Sequence, residues 1–389
     1  MSDLNRQRRR LLGAGLLSAA LPAFALERPE RPDGRFIFLF LRGGLDGLFA
    51  FAPAADPRLA SLRPGLAKTV LSDGQPLGST GFAAHPSCRA LSDLFARREL
   101  AFAPCAGTPD KSRSHFQAQD LFELGNGDTR GQQGWLARAG EAWQGRFRLI
   151  GFTANPPLAL QGATPPADLM PLAGSSLQVR QNRSLDAIMA MHAQQASGRA
   201  LDQAMQTQAE LDAIQGMDAR AARGAAGING FARSAETMAR VLRDNPRLAM
   251  AFLDLGGFDT HANQENSLGR SLPQLGEGLL ALKTGLGEAE WRRTQVLICT
   301  EFGRTVRENG TQGTDHGHGS LALLAGGALR QGGRMLGDFA GLADSALNEG
   351  RDLPVRVDWR SLIGRVLQDT QGFPLATLQR ILPGLPGLA

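Results

Sequence analysis

The sequence predicts an α/β protein in which a mostly parallel central sheet carries helices on both faces. Apolar runs of strand length alternate with segments of helical periodicity, as they do in such folds. Several of these runs are apolar throughout, which is typical of strands buried on both faces. Hydrophobic residues make up 42% of the 389 residues and charged residues 20%, so the chain can build a large core.

The predicted elements follow one another in a regular order. The predicted strands are Arg35–Leu41, Leu100–Pro104, Phe147–Phe152, Leu248–Leu255, Thr294–Thr300 and Ser320–Ala325. The predicted helices are Pro86–Arg97, Ser114–Gly125, Leu268–Leu286, Trp359–Gln368 and Leu375–Ile381. Residues 182–245, rich in Ala, Gln and Arg, predict a helical segment that either covers the sheet or offers a partner surface. Because no repeat or long linker interrupts the chain, we expect residues 26–389 to form one domain.

The first 25 residues predict a signal peptide of the twin-arginine route. Arginines at 8–10 precede a modestly apolar stretch at 11–21, and the A-x-A pattern at 23–25 predicts cleavage after Ala25. An ordinary signal peptide or an uncleaved anchor is the alternative. We therefore expect export with the twin-arginine translocase as a partner, and a periplasmic location for the mature chain.

Composition argues against several classes of protein. The formal net charge is +5, and no basic stripe is interleaved with aromatic residues, so we expect no nucleic-acid partner. The sequence has no CxxC pair and no GxGxxG after a strand, which disfavours a redox or nucleotide-cofactor enzyme. Three cysteines are too few for a disulfide framework; Cys88 and Cys105 are the pair that an oxidising compartment could join, and Cys299 is predicted to lie in the core.

Carboxylates follow three of the apolar strands. Asp46, Asp259 and Glu301 each lie in a short loop with Gly or other small residues after a predicted strand. In open α/β sheets, sites form at the carboxyl ends of the strands. Three carboxylates at one edge repel one another, and a bound metal ion commonly neutralises such a group of negative charges.

Histidines accompany these carboxylates in two clusters. Asp259 and His261 are two residues apart, and Asp315, His316 and His318 lie within four residues. This mixture of oxygen and imidazole ligands predicts one or two divalent ions, Zn first, with Mn, Fe, Mg or Ca as alternatives. Which members of the second cluster bind the metal directly stays open.

A candidate nucleophile lies in the segment SRSHF at 112–116. Ser114 would begin a helix, and with Gln117 it fits a capping box, which is a structural role. The same position meets the positive end of the helix dipole, which favours an ionised hydroxyl and an anionic substrate. In that alternative, Arg113 binds an anion and His115 acts as a further ligand or an acid. His85 and His192 have no cluster of ligand-type residues beside them in the sequence and are interpreted as structural residues.

Four motifs carry a resemblance to a known family. They are RGGLDGL at 42–48, SRSHF at 112–116, GGFDTHANQ at 256–264 and TEFGRTVRENGTQGTDHGHG at 300–319. The chain resembles, over almost its whole length, a twin-arginine-exported bacterial family of unknown function, DUF1501. That family is grouped with the alkaline phosphatase and sulfatase superfamily.

The resemblance implies an alkaline-phosphatase-like, three-layer αβα sandwich with a one- or two-metal site. It also implies roles for particular residues: Asp46 as the carboxylate after the first strand, Asp259 and His261 as a ligand pair, Glu301 as the late strand-end acid, the 315–318 segment as the source of further histidines, and Ser114 as the nucleophile. Two departures matter. Phe302 stands where the superfamily has a strand-end His, and no Cys-x-Pro-x-Arg provides a sulfatase formylglycine.

The leading hypothesis is a metal-dependent hydrolase of phosphate or sulfate esters, whose substrate is a small anionic ester or an anionic polymer. The alternative is a non-catalytic, metal-containing periplasmic binding or assembly factor with a partner protein encoded alongside it.

Overall fold

The structure is a computed structural model that describes residues 33–153, 155–170, 226–228, 230–327 and 329–388. These residues belong to one unit, Arg31–Ala389. The predicted signal peptide at 1–25 and most of the predicted helical segment 182–245 lie outside the described residues. Within the described ranges, no helix is long and apolar enough to cross a membrane.

Twelve strands are seen in the described part of the chain. They are β1 (Arg35–Leu41), β2 (Phe51–Ala52), β3 (Gln75–Pro76), β4 (Ala83–Ala84), β5 (Leu100–Gly107), β6 (Arg148–Phe152), β7 (Asp168–Leu169), β8 (Ala226–Gly227), β9 (Leu248–Gly256), β10 (Thr294–Thr300), β11 (Ser320–Gly326) and β12 (Val357–Asp358). The large sheet has the order β12-β5-β11-β10-β1-β9-β6-β7, with β8 beside β9, and β2, β4 and β3 form a small separate sheet. The pairs of β1 with β9 and β10 are parallel, whereas β11 runs antiparallel to both β10 and β5. The predicted fold class, a mostly parallel α/β sheet, is therefore confirmed.

Eleven α-helices surround the sheet within the same ranges. They are α1 (Gly47–Ala50), α2 (Leu59–Leu62), α3 (Lys68–Asp73), α4 (Arg89–Ala96), α5 (His115–Leu124), α6 (Trp135–Glu141), α7 (Phe231–Asp244), α8 (Gln264–Leu286), α9 (Glu288–Trp291), α10 (Trp359–Gln371) and α11 (Leu375–Ile381). Short 3₁₀ turns occur at Pro86–Cys88, Leu158–Leu160 and Asp344–Ala346. Helices α6 and α9, the short elements of residues 47–84 and the two-residue strands β7, β8 and β12 were not predicted, because segments of two to seven residues show too little periodicity.

Strand β1 explains why helices cover both faces of the sheet. Every residue of β1 is buried. Ile37, Leu39 and Leu41 point into a core shared with α4, α7 and α8. Phe36, Phe38 and Phe40 point into the opposite core, shared with α5, α6, α10 and α11. The period of two along the strand divides these side chains between two apolar layers, and the result is the expected three-layer arrangement.

The cysteines form no disulfide. Cys88, Cys105 and Cys299 are all reduced and buried. Cys88 and Cys105 pack in different hydrophobic clusters, so the possible bond between them is not made. Burial raises the pKa of the Cys88 thiol to about 12, which keeps it in its unreactive, protonated form.

Candidate metal centre

The topology brings five of the predicted site residues to one edge of the sheet. Asp259 and His261 follow β9, Glu301 follows β10, and His115 is the first residue of α5, after β5. His316 precedes β11. Because β11 runs antiparallel to β10, the segment before it lies at the edge where the parallel strands end.

Three imidazole nitrogens meet beside the carboxylate of Asp259. The Nε2 atom of His316 lies 3.0 Å from Nε2 of His115 and 3.0 Å from Nε2 of His261. The oxygens of Asp259 lie 3.0 Å from Nε2 of His261, 3.3 Å from that of His316 and 3.4 Å from that of His115. Asp259 is buried, and the three rings are partly buried.

The other ring nitrogen of two of these histidines is held by protein groups. Nδ1–H of His115 donates to Oε1 of Glu301 at 2.8 Å, and Nδ1–H of His316 donates to the carbonyl oxygen of Arg113 at 3.0 Å. A neutral ring held in this way carries its lone pair on Nε2. Two lone pairs that face each other at 3.0 Å repel, so the arrangement needs a cation, either a proton or a metal ion, to stabilise it.

The spacing of the ligand atoms fits a metal ion. Two ligands bound to one tetrahedral ion at about 2.0–2.1 Å lie about 3.3 Å apart. The distances between Asp259 and the three rings, 3.0 to 3.4 Å, agree with that value. One ligand atom from each of His115, Asp259 and His316 forms a group within 4.8 Å. The hydrogen bond from His115 to Glu301 is the carboxylate–histidine arrangement that orients metal-binding imidazoles.

The carboxylates favour positive charge at this point. Burial by itself would lower the pKa of His115, but hydrogen bonds and charge from Asp259 and Glu301 outweigh it and raise the pKa to about 9. Burial would raise the pKa of Glu301, yet its contact with His115 and its hydrogen bond from Gln119 lower it to about 2. For Asp259, hydrogen bonds from three histidines outweigh burial, and its pKa lies far below the usual range.

Glu301 lies behind the histidines and is itself surrounded by protein donors. Its Oε1 atom accepts from His115, from the backbone N–H of Gly43 at 2.8 Å and from Nε2 of Gln119 at 2.9 Å. Its Oε2 atom accepts from the hydroxyl of Thr300 at 2.9 Å. The structure therefore places Glu301 where it orients His115, and its predicted role as a direct ligand stays a prediction.

A chain of buried polar groups continues from Glu301 into the core. The Nη1 atom of Arg42 donates to Oε1 of Gln119 at 2.8 Å, which turns the amide so that its Nε2 donates to Glu301. Arg42 also forms ion pairs with Asp254 at 2.7 Å and Glu123 at 2.9 Å. Burial would lower the pKa of Arg42, but these two carboxylates keep it charged. No role was predicted for Arg42 or Gln119. The sequence signal for Arg42 was its position, a charged residue directly after the seven residues of the apolar strand β1.

Arg304 joins the loops that carry the site. Its guanidinium donates to Oδ1 of Asp259 at 2.5 Å, to the carbonyl of Gly44 at 2.6 Å and to the carbonyl of Gly43. Gly43 has a φ of 119°, and a Cβ there would lie 2.4 Å from the backbone nitrogen of Asp259, so a side chain would force the loops apart. The glycine pair thus serves loop packing. No role was predicted for Arg304, although it lies inside the 300–319 motif.

The carboxylate of Asp46 contacts protein donors and, among the described residues, makes no hydrogen bond to the histidines of the centre. Its Oδ1 atom accepts from the backbone N–H groups of Leu48 and Phe49, as the N-cap of α1. Its Oδ2 atom accepts from Arg63 at 2.7 Å and from Gln264 at 2.6 Å. These contacts are those of a structural residue, and the metal role given to Asp46 in the sequence analysis stays a prediction.

The 315–318 cluster separates into three environments. His316 belongs to the centre, whereas Asp315 is exposed and its Oδ1 lies 3.5 Å from Nδ1 of His261. His318 is buried, and its Nε2–H donates to the carbonyl of Thr108 at 2.9 Å. Of the three, only His316 has a ligand atom beside Asp259. The sequence had left open which of these residues would bind a metal directly.

Ser114 stands at the N-cap position of α5, directly before His115. The predicted capping box is wrong, because the side chain of Ser114 makes no cap hydrogen bond. Gln117 donates instead to Asp110 at 3.1 Å. The hydroxyl of Ser114 is therefore not used to satisfy the helix.

Arg113 is held by carboxylates and contributes its backbone to the centre. Its guanidinium forms ion pairs with Glu349 at 2.9 Å and Asp352 at 3.1 Å. The guanidinium was predicted to bind an anionic substrate, and these two carboxylates already neutralise it. Its φ is 54°, and its carbonyl accepts from His316. The structure thus gives Arg113 a contact to the centre that the sequence pattern did not indicate.

His85 lies in a structural environment. Its ring stacks on Phe49 with the centroids 4.3 Å apart, and its Nδ1 accepts from the backbone N–H of Ser87 at 3.2 Å. His192, the other histidine interpreted as structural, lies outside the described residues.

Residues 102–373 match the family described as "Protein of unknown function (DUF1501)". Among curated proteins, no sequence matches the chain. Similar solved structures include a protein in the alkaline phosphatase superfamily from Vibrio parahaemolyticus, with 9% identity and a TM-score of 0.39 over 76% of this chain and 62% of that chain. The zinc complex of the C-terminal periplasmic domain of EcEptC from Escherichia coli has 10% identity and a TM-score of 0.38 over 77% and 74% of the two chains. The soluble domain of lipooligosaccharide phosphoethanolamine transferase A from Neisseria meningitidis has 12% identity and a TM-score of 0.41 over 90% and 93%.

Proposed function

The chain belongs to the DUF1501 family, and we propose that it is an exported, metal-dependent hydrolase of phosphate or sulfate esters. The observation that carries the proposal is the meeting of three Nε2 atoms beside a buried carboxylate, with two of the rings already held through Nδ1. Such pre-oriented ligands are typical of metal centres, and a metal centre at a sheet edge suits ester hydrolysis.

His115, His316 and Asp259 would hold the ion, and His261 would complete the set. Three imidazoles and one carboxylate favour Zn, with Mn or Fe as alternatives, over Mg and Ca, which prefer oxygen ligands. The contacts support one ion at this centre, because both oxygens of Asp46 already accept protein hydrogen bonds.

Ser114 would supply the nucleophile. It directly precedes His115 in the chain, and its hydroxyl is not used as a helix cap. The N-terminal end of α5, a helix of ten residues, favours an anionic ester in front of that hydroxyl. When bound, the metal would polarise the ester and lower the pKa of a neighbouring hydroxyl.

The signal peptide predicted at 1–25 supports a location outside the cytoplasm for this chemistry. Export by the twin-arginine translocase delivers folded protein, and it therefore suits a chain whose metal is bound before transport. The proposed location is the periplasm, and the proposed substrates are small anionic esters or anionic polymers that reach it.

The first experiment measures the metal content of the purified, exported protein by elemental mass spectrometry. We expect about one equivalent of a transition metal in the wild type and loss of the metal in Asp259→Asn. The matched control is Asp93→Asn, which removes an exposed carboxylate on α4 and should keep the metal.

A panel of aryl phosphate and aryl sulfate esters then tests the reaction. Turnover that requires the metal supports the proposal. Bound metal with no turnover of any ester would overturn the hydrolase and leave the binding or assembly factor as the function.

A further inference from the structure

A groove of about 890 Å³ lies between the segments 331–337 and 355–358, within the described part of the chain. Both segments attach to β5. At one end of β5, Leu336 donates from its backbone to Phe102 at 2.7 Å. Towards the other end, Arg356 donates to the carbonyl of Cys105 at 2.8 Å, and β12 continues the pairing.

The charged residues at this groove are mainly cations. Arg334 and Arg356, one from each flanking segment, are both exposed, and neither forms an ion pair with a carboxylate of the described residues. Lys111 adds a third positive charge from the loop that leads to α5. The carboxylate that lines the groove, Asp358, is neutralised by Arg360, with an N–O distance of 2.8 Å.

The remainder of the lining is largely apolar. Met335, Leu336, Val355, Val357 and Leu388 contribute to it. In small-molecule sites, apolar walls hold the body of a ligand and a few polar groups fix its orientation, and this lining offers both kinds of group. Cations without partners supply the charge for an acidic group.

The geometry points to a second binding site in this groove, for an organic anion that combines an apolar body with a sulfonate, sulfate, phosphate or carboxylate group. The groove is close to the metal centre along the chain, since Lys111 lies four residues before His115 and His318, which also lines it, lies two residues after His316. The site does not require the metal, so its test is independent of the proposed hydrolase activity.

The probe for the test is 8-anilinonaphthalene-1-sulfonate, an apolar anion, with N-phenyl-1-naphthylamine as its uncharged counterpart. The full chain should bind the sulfonate saturably and more tightly than the uncharged compound. Binding should weaken as NaCl is raised, because exposed charges are screened. Equal affinity for the two compounds would overturn the proposal, as would an affinity for the sulfonate that does not change with the NaCl concentration.

The decisive variant is Arg334→Glu with Arg356→Glu. Both side chains are exposed, and their segments attach to β5 through backbone groups, so the fold should be kept and thermal unfolding should be unchanged. We expect the Kd for the sulfonate to rise about tenfold, from the loss of two ion pairs and the repulsion that replaces them. The matched control is Arg240→Glu, an exposed arginine on α7, which should leave the Kd unchanged. An unchanged Kd in the double variant would show that the probe binds elsewhere and would overturn the site.

Discussion

The Nδ1–H group of His316 donates to the backbone carbonyl of Arg113 at 3.0 Å, and this bond ties the loop before β11 to the loop before α5. It also fixes which nitrogen of His316 carries the lone pair that faces His115. Because the acceptor is a backbone oxygen, the orientation of the ring depends on the path of the loop, which the φ of 54° at Arg113 helps to define.

We expect Gln119→Met to weaken metal binding. The change removes the amide that donates to Glu301 and accepts from Arg42, so His115 loses part of its support. Loss of such outer contacts lowers metal affinity about 10-fold to 100-fold, and unsatisfied buried groups should lower the free energy of unfolding by about 1–3 kcal/mol. Titration calorimetry with Zn and urea unfolding measure the two effects. Gln117→Met, on the exposed side of the same helix, is the control. Unchanged metal affinity in a destabilised Gln119→Met protein would mean that Gln119 acts only on stability.

Asp46→Asn should destabilise the protein and leave its metal content unchanged. The change removes the charge opposite Arg63, whose side chain is 1% exposed, as is that of Asp46. Breaking a buried ion pair costs about 3–5 kcal/mol. Urea unfolding and elemental analysis give the two readouts. If folded Asp46→Asn protein lost metal, Asp46 would be a ligand and a second ion would have to be considered.

Ser114→Ala should abolish ester turnover while the metal is retained. Removal of a nucleophile lowers kcat by at least about 10³-fold. Ser72→Ala changes an exposed serine on α3, whose hydroxyl donates to Asp73, and it should keep full activity. Steady-state rates on the best ester compare the two variants. Equal rates for Ser114→Ala and the wild type would exclude Ser114 as the nucleophile.

Metal binding should release protons near neutral pH. Without metal, the pKa of His115 is about 9, so the ring is protonated at pH 7.5 and must lose that proton to bind an ion. Calorimetry in buffers of different ionisation enthalpy measures the number released, which we expect to be about one or more. Apparent affinity should rise with pH up to about 9. Binding without proton release would contradict the assignment of His115 as a ligand.

The chelated protein should lose stability as the pH rises. Protonated His115 stabilises the fold because its folded pKa, about 9, lies above the ordinary value of 6.5. This contribution is complete below pH 6.5 and disappears between pH 6.5 and 9; it amounts to at most about 3 kcal/mol. Urea unfolding in a chelator across this range tests it, and added Zn should reverse the trend. A flat profile in the chelator would contradict the raised pKa.

The apolar strands could be predicted from the sequence because each is a run of consecutive apolar residues, which is a local signal. The run Arg35–Leu41 has the same bounds in the structure, and Thr294–Thr300 does as well. The chemistry of the site was also visible, since His316 and Asp259 lie in clusters of ligand-type residues. The capping box at Ser114 was wrong, because the pattern that defines it does not include the competing acceptor Asp110.

By itself, the sequence determined the alternation of strands and helices, the burial of β1 on both faces and the choice of imidazole and carboxylate side chains. Only the tertiary structure decided that His115, Asp259 and His316 meet, that Asp46 pairs with Arg63, and that Glu301 supports His115 from behind. The physical reason is that periodicity reports local burial, whereas these contacts join residues far apart in the chain. They depend on strand order and on the antiparallel direction of β11, which packing of the whole sheet fixes.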